Sequence, residues 1–320
     1  MHTNRQMIVL DTDIGTDVDD VVSLALLLRL PDVDLQAITT VYVDAALRAR
    51  MVRAVLAVAG RPDIPVGRGV DRPLLNRDAL AWAGFEGEGL LLADADEAPQ
   101  AHPLPHAVDL LIETVLARPG EVTIVAIGPL TNVALALLRE PRLAAAVRRI
   151  VIMGGMVLRR FDQLTAPYRE HNIRCDPEAA QIVCASGAPI TLVPLDVTTQ
   201  VRIRREDLSD LRQGDQLAVL VADQLERYMG HMGRDWTHPH DPLAVAALVR
   251  PDLLRTYPMR VNVETRGEYT RAQTVAERVD GEAGGPVIDV ALEVQAGAFE
   301  RWLLDTLDGS GAGPVVDGGI

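Results

Sequence analysis

Five aspartates crowd into residues 11–20, whose sequence is DTDIGTDVDD. This segment directly follows a short apolar run, residues 7–10, with the composition of a buried strand. Ligand sites in open α/β sheets lie at the carboxyl ends of such strands. Carboxylates this close repel one another unless a cation neutralises them, and Ca²⁺ and Mg²⁺ prefer oxygen ligands. The segment therefore predicts a site for a hard divalent cation.

A simpler explanation covers only part of this acidic segment. Asp19 and Asp20 precede an apolar helical stretch, residues 21–30, and acids favour the first turn of a helix. Capping accounts for one or two acids, not for five. Asp11 and Asp17 are the two that we interpret as structural.

Four further segments contain turn residues, and three of the four also carry polar side chains. They are GPLTN at residues 128–132, MGG at 153–155, EHNIRCDPEAA at 170–180 and HDPLAVA at 240–246. Ordinary helix starts explain parts of them, because Thr131 or Asn132 can cap a helix, and so can Asp176 before Pro177. His238 and His240 in THPHD suggest a transition-metal site, but hard oxygen donors surround them, which disfavours it.

A sixth segment, AITTVYVDAALRAR, occupies residues 37–50. Together with the acidic segment and the four segments above, it forms a series whose order resembles that of the inosine–uridine preferring nucleoside hydrolases. The resemblance implies calcium-dependent hydrolysis of the N-glycosidic bond of ribonucleosides to free base and ribose. It also implies a small-molecule nucleoside as the partner and a homodimer or homotetramer as the assembly. The aspartate spacing matches the longer variant of that family's first motif.

The resemblance assigns roles to particular residues. Asp13 corresponds to the general base and a calcium ligand. For His240 we predict, from the chemistry of an imidazole that titrates near neutral pH, that it protonates or hydrogen-bonds the leaving base. The remaining calcium ligands implied are Asp20, Thr131 through its backbone carbonyl, and Asp241. The residues implied to bind the ribose are Asp19, Asp44, Met153, Glu170 and Asn172.

The sequence departs from the family pattern in places that affect substrate choice. Asp44 stands where better-known members carry Asn, and Leu164 stands where an Asn is expected. Aromatic residues are only 3% of the chain, yet several fall in two long loops, residues 74–94 and 224–240. We predict that they stack on the leaving base: Trp82, Phe85, Tyr228 and Trp236.

The elements that must position these residues form an α/β pattern. Strands without in/out alternation are predicted at residues 7–10, 33–41, 121–127, 149–153 and 190–194, and a helical stretch follows each of the first four. Such strands are buried on both faces, which predicts one doubly wound, mainly parallel sheet flanked by helices, Rossmann-like in its layout. Residues 259–294 predict a small antiparallel segment, and 299–307 a final amphipathic helix. We expect one catalytic domain, residues 1–308, and a flexible tail, residues 309–320.

Composition narrows the function further. The chain has 320 residues, a formal charge of −14 and a pI of about 4.9. This acidity argues against nucleic acid as the partner, because phosphate backbones require a basic face. No apolar stretch reaches the about 18 residues that span a bilayer, no signal-peptide pattern occurs, and two cysteines make no disulfide framework. We expect a soluble cytoplasmic protein that does not bind membranes.

Three alternatives stay open. A phosphatase of the haloacid-dehalogenase type also has DxD after its first strand, but Gly15 occupies the position of its Thr or Val. An enzyme of the same fold acting on another ribosyl compound is suggested by Asp44, Leu164 and Phe85. A non-catalytic calcium- or sugar-binding protein is disfavoured because binding alone needs no spare base such as Asp13.

Overall fold

A nine-stranded sheet forms the centre of the described chain. The computed structural model describes residues 5–75, 80–91, 103–158, 169–279 and 285–309. The sheet order is β10-β9-β11-β6-β5-β4-β1-β2-β3, and a two-stranded antiparallel sheet pairs β7 with β8. The strands are β1 Gln6–Thr12, β2 Val33–Thr40, β3 Val66–Arg68, β4 Val122–Ala126, β5 Arg149–Met153, β6 Ile190–Val193, β7 Ile203–Arg204, β8 Trp236–Thr237, β9 Leu254–Val263, β10 Thr274–Arg278 and β11 Ile288–Val294.

The seven strands from β3 to β11 are parallel, and β9 and β10 continue the sheet antiparallel. This confirms the mainly parallel sheet and the antiparallel C-terminal segment. Strand β1 lies between β2 and β4, so the chain reverses its direction of winding beside β1. Ligand sites of open α/β sheets form at such reversals.

Helices cover both faces of the sheet. On β1, Ile8 and Leu10 pack into one hydrophobic cluster and Val9 into the other, because successive side chains point to opposite faces. The helices are α1 Asp19–Arg29, α2 Ala45–Val58, α3 Ala107–Ala117, α4 Thr131–Arg139, α5 Leu143–Ala146, α6 His171–Cys175, α7 Pro177–Cys184, α8 Leu195–Thr198, α9 Leu208–Leu211, α10 Gln216–His231, α11 His240–Val249 and α12 Ala296–Leu307.

The final helix shows how its sequence pattern becomes packing. Phe299, Leu303 and Leu307 recur at four-residue spacing, and all three are fully buried in the first cluster. This confirms the predicted amphipathic helix. Each such side chain contributes about 1.5–3 kcal/mol when it is withdrawn from water. The tail predicted after it lies outside the described residues, except for Gly309.

Within the described ranges, no helix combines the length and the apolar character that crossing a bilayer requires. Cys175 and Cys184 are both free thiols and both buried, in agreement with the prediction that they form no disulfide framework.

Candidate active site

A cavity of about 380 Å³ opens at the carboxyl ends of β1, β4 and β5. Its wall contains Asp13 after β1, Ile127 after β4 and Met153 at the end of β5. Helices α1, α6 and α11 complete the wall. The other residues that line the cavity are Thr16, Asp17, Asp19, Asp20, Ala83, Phe85, Glu170, His171, Asn172, Leu195, Tyr228, Met232, His240 and Asp241.

Three buried carboxylates converge on one point of this cavity. One oxygen from each of Asp19, Asp20 and Asp241 lies within 4.8 Å of the other two. Asp19 and Asp20 occupy the first turn of α1, and Asp241 the first turn of α11, so two helix N-termini face the cluster. Burial raises the pKa of each of these carboxyls, and repulsion between neighbouring carboxylates raises it further.

Hydrogen bonds orient two of the three carboxylates in this triad, those of Asp19 and Asp20. The backbone N–H of Asp241 donates to Oδ2 of Asp19 at 3.1 Å, and the hydroxyl of Thr12 donates to Oδ1 of Asp20. The atoms that this triad can offer to a metal ion are all carboxylate oxygens, which suit a hard cation such as Ca²⁺ or Mg²⁺. The triad contains Asp20 and Asp241, two of the four predicted calcium ligands, and also Asp19.

Asp13 lies beside the triad on the loop that follows β1. It is only 5% exposed, and its charge contributes to the raised pKa values of Asp20 and Asp241. The guanidinium of Arg48 donates to the backbone carbonyl of Asp13, which fixes the loop rather than the carboxylate. The carboxylate therefore remains at the cavity wall, where it can accept a proton.

Asp17 has a different environment from the triad. Its carboxylate accepts hydrogen bonds of 2.6 Å from the hydroxyl of Tyr228 and from the backbone N–H of Val18. Assigning metal-binding and ribose-binding roles to Asp19 and Asp20 rather than to Asp17 agrees with this geometry. Asp11 is fully buried, accepts from Asn132 and Thr39, and does not line the cavity. Burial raises the pKa of Asp11 to about 7.

Helix α6 supplies one end of the cavity. Glu170 is its N-cap, and its carboxylate accepts from the backbone N–H groups of Asn172, Ile173 and Gly155. The amide of Asn172 donates to the carbonyls of Ile127 at 2.8 Å and Met153 at 3.2 Å. Glu170, Asn172 and Met153 therefore meet at the cavity, as the ribose-binding prediction requires.

The opposite end is partly aromatic. Phe85 and Tyr228 both line the cavity, and Phe85 stacks on His231 with ring centroids 4.2 Å apart and planes 6° apart. Oε2 of Glu88 lies 3.1 Å from Nε2 of the same histidine. This contact connects the loop that carries Phe85 and Glu88 to the last turn of α10. These are the surfaces on which a planar base can stack.

His240 lies at the cavity in a half-buried position. Its Nδ1 is 2.7 Å from the hydroxyl of Thr198. Burial and the nearby His238 and Arg234 lower the pKa of His240 to about 3. The imidazole is therefore neutral at physiological pH, which favours a hydrogen bond to the leaving base over full proton transfer from an imidazolium.

Four predicted residues do not line the cavity. The exposed Asp44 instead caps α2, accepting from Leu47 at 2.8 Å. Trp82 is 39% exposed and lies against Arg48, and Trp236 lies against two arginines. The hydroxyl of Thr131 donates to Asp176 at 2.7 Å, so metal ligation by its carbonyl stays a prediction. The Asn-to-Leu departure at residue 164 lies outside the described residues.

Two residues at the site were not found from the sequence. Arg48 is fully buried and donates to the carbonyls of Tyr42 and Ile14, each at 2.8 Å. Its spacing from Ala45 and Val52 places it on the buried face of α2, a signal that the pattern did contain.

The second is His171, which stands between two predicted ribose-binding residues. Its Nε2 is 3.6 Å from Oδ2 of Asp13 and 3.5 Å from Sγ of Cys175. Burial lowers the pKa of His171, but the neighbouring Asp13 and Cys175 outweigh it and hold that pKa well above 6.5. The imidazolium form is therefore favoured beside the carboxylate of Asp13.

Comparison with known proteins agrees with this geometry. The model of the inosine-uridine preferring nucleoside hydrolase family matches residues 8–301. A non-specific ribonucleoside hydrolase RihC from Salmonella paratyphi C (strain RKS4594) is 37% identical over 304 residues, covering 93% of this chain and 96% of the relative.

Solved structures show the same fold. A plant nucleoside hydrolase, the PpNRh1 enzyme, superposes with a TM-score of 0.82 at 29% identity, covering 95% of this chain and 99% of the other. A purine-preferring ribonucleoside hydrolase from Gardnerella vaginalis also gives 0.82, at 26% identity over 95% and 98% of the two chains.

Proposed function

The chain belongs to the inosine-uridine preferring nucleoside hydrolase family, and from that premise we propose that it hydrolyses ribonucleosides to free base and ribose with calcium as its cofactor. The RihC relative is named a non-specific ribonucleoside hydrolase, which supports ribonucleosides as the substrate class. Membership in a hydrolase family favours turnover over a purely sugar-binding role. The cytoplasmic location and the homodimeric or homotetrameric assembly stay predictions, and a role in nucleoside salvage is part of this proposal.

One observation carries this proposal. A buried carboxylate, that of Asp13, lies beside a convergent carboxylate triad, in the same cavity as the Glu170–Asn172 pair. The triad suits a cation, the pair suits sugar hydroxyls, and Asp13 supplies a base between them. When bound, a divalent cation supplies positive charge that offsets the triad and polarises oxygen ligands.

Asp13 accepts the proton of the attacking water in the proposed reaction. As the bond from C1′ to the base breaks, positive charge develops on the ribose ring, and the carboxylates around the cavity stabilise it, as in O-glycoside hydrolysis. Neutral His240 donates a hydrogen bond to the departing base. Phe85 and Tyr228 hold the base by stacking.

The roles of the two cavity ends are distinct in this arrangement. Glu170 and Asn172 hold the ribose at α6, and the aromatic end near α10 receives the base. The fixed hydrogen bonds of Glu170 and Asn172 to the backbone keep both side chains in place before substrate arrives. Preorganised groups of this kind lower the barrier because they need no rearrangement in the transition state.

The proposal is tested with inosine, uridine, cytidine and adenosine and two matched variants. Asp13→Asn removes the base, and we expect kcat to fall by about 10²–10⁴-fold. Asp44→Asn makes the same chemical change at an exposed helix cap, and we expect little change. Release of the free base, measured by chromatography, is the readout. Equal activity in wild type and Asp13→Asn would contradict the assigned base.

A further inference from the structure

A single hydrogen bond connects the imidazole of His240 to the protein behind it. Nδ1 of His240 lies 2.7 Å from the hydroxyl oxygen of Thr198, the last residue of helix α8. Thr198 is fully buried and does not line the catalytic cavity, whereas His240 does. The threonine therefore contacts the imidazole from within the protein and not from the cavity.

The surroundings of the Thr198 hydroxyl decide which of the two groups donates this hydrogen bond. An Nδ1 without a proton accepts, and an Nδ1 with a proton donates. Among the described residues, the hydroxyl has no hydrogen-bond partner other than His240, and its burial shields it from water. If Nδ1 donated, the hydroxyl proton would be buried without an acceptor, which is unfavourable. The hydroxyl of Thr198 therefore donates to Nδ1.

This direction of donation fixes the tautomer of His240. A neutral imidazole carries one N–H proton, so an accepting Nδ1 leaves that proton on Nε2. Within the part of the chain that the structure describes, Nε2 has no hydrogen-bond partner, and it is not an enclosed atom. Because the ring lines the catalytic cavity, the Nε2–H group is free to donate to a ligand there.

His238, two residues earlier, has the opposite arrangement. Its Nδ1 lies 2.7 Å from the backbone carbonyl oxygen of Val201. A carbonyl oxygen can only accept, so Nδ1 of His238 carries a proton. The ring centroids of His238 and His240 are 5.2 Å apart. Two neighbouring histidines are thus held in different tautomers by the kind of group that meets Nδ1.

We propose that Thr198 is a positioning residue for the hydrolysis, which acts by holding His240 in the tautomer with its proton on Nε2. This inference rests on the proposed function, in which His240 donates a hydrogen bond to the departing base. The Nε2–H group stabilises the electron pair that the base keeps when its bond to C1′ breaks. In the other tautomer, Nε2 would present a lone pair to that electron pair and repel it. No covalent step is added, because the base takes its proton from water after it leaves.

The kinetic test compares two substrates with each variant. Uridine needs stabilisation of its leaving base, whereas 4-nitrophenyl β-D-ribofuranoside releases a phenolate that is stable without such help. Thr198→Val removes the donor and nearly keeps the shape, and it should lower the ratio of kcat for uridine to kcat for the nitrophenyl riboside by about 2–10-fold. Both values come from the same sample, so a partly misfolded fraction cancels in the ratio.

Two matched variants accompany Thr198→Val. Thr198→Ser keeps the hydroxyl and should keep the wild-type ratio. Thr199→Val makes the same substitution at the next residue, whose hydroxyl donates to the carbonyl of Leu195 at 2.7 Å within the same stretch of chain. It should also leave the ratio unchanged. A ratio that Thr198→Val does not lower, or that Thr199→Val lowers equally, would overturn the proposal.

A double-variant cycle separates positioning of His240 from a general structural role. His240→Phe removes both ring nitrogens, so adding Thr198→Val to it should cause no further fall in the ratio. An equal fall with and without the imidazole would show that Thr198 acts on something other than His240.

Nitrogen-15 NMR of protein labelled at histidine measures the tautomers directly, and the signals lost in His240→Phe identify its ring. Nε2 of His240 should be protonated and Nδ1 should not, whereas Nδ1 of His238 should carry a proton. A proton on Nδ1 of His240 and none on Nε2 would overturn the inference and leave the proposed function intact. Absence of hydrolysis of uridine, inosine and the nitrophenyl riboside with calcium present would instead overturn the proposed function.

Discussion

Replacing Asp241 by Asn should weaken cation binding and strengthen the metal-free fold at the same time. Asn has nearly the same shape as Asp but no charge, and it retains the backbone N–H that donates to Asp19. Carboxylate oxygens of Asp19, Asp20 and Asp241 lie within 4.8 Å of one another. The substitution therefore removes one of three mutually repelling charges and one of the predicted cation ligands.

The size of the effect follows from this distance. Two unit charges about 4.8 Å apart repel by roughly 3–4 kcal/mol at an effective dielectric constant of about 20. Protonation relieves much of this repulsion, since burial and neighbouring carboxylates raise the pKa of Asp241 well above 3.8. We therefore expect the metal-free variant to gain about 1–3 kcal/mol, which raises Tm by roughly 2–6 °C for a chain of this size.

The stability of the metal-free protein should depend on pH in a definite direction. A carboxyl whose pKa is higher in the folded than in the unfolded protein stabilises the fold below its unfolded pKa, and this contribution is lost as pH rises through the folded pKa. The metal-free wild type should thus gain stability on acidification from neutral pH. The advantage of Asp241→Asn should be largest at neutral pH or above and should vanish at about pH 4 or below.

Thermal unfolding followed by differential scanning calorimetry measures these effects, with a strong chelator and with millimolar calcium. Calcium should raise Tm of the wild type and have little effect on Asp241→Asn. Asp44→Asn is the matched control, because the exposed helix cap at Asp44 can also be made by Asn. A lower Tm of metal-free Asp241→Asn, or an undiminished calcium effect, would refute this reasoning.

Three further predictions concern other parts of the site. Arg48→Met should lower the free energy of unfolding by at least about 2 kcal/mol, measured with urea, because buried carbonyls lose their donor. Phe85→Ala should change the inosine-to-uridine ratio of kcat/KM, whereas Trp236→Ala, outside the cavity, should not. Tyr228→Phe should lower the urea midpoint by an amount equivalent to about 1–2 kcal/mol, because the half-buried Asp17 loses its 2.6 Å hydrogen bond.

Each of these three has a contradicting result. Wild-type stability of Arg48→Met would show that the carbonyls find other donors. If Trp236→Ala altered the inosine-to-uridine ratio of kcat/KM and Phe85→Ala did not, the base would bind beside Trp236 on β8 and not beside Phe85. An unchanged midpoint for Tyr228→Phe would mean that water replaces the phenol at Asp17.

The sheet was predictable because its central strands are uninterrupted apolar runs. Residues 149–153 and 190–194 have no polar alternation, which only strands covered on both faces tolerate, and the structure shows them as β5 and β6. Helix N-caps were predictable for a similar reason, because they depend on neighbouring residues in the sequence. Asp176 followed by Pro177 predicts a helix start without any knowledge of the fold, and Asp176 does cap α7.

The parts of the site that were missed depend on contacts between distant segments. Arg48 satisfies carbonyls about thirty residues earlier in the chain, and no local pattern records such a partner. Trp236 was expected at the base but packs between arginines, because a sequence does not show which face of a short strand meets the cavity. Asp44 illustrates the same limit, since the local capping bond to Leu47 takes its side chain away from the site.

Release of reducing ribose from uridine and inosine, measured before and after chelation, tests the central claim most directly. The purified enzyme should release ribose, lose this activity when a strong chelator removes the metal, and recover it when calcium is added back. Full activity in a sample shown by elemental analysis to be metal-free would contradict the role given to Asp19, Asp20 and Asp241. So would the absence of ribose release from both nucleosides with calcium present.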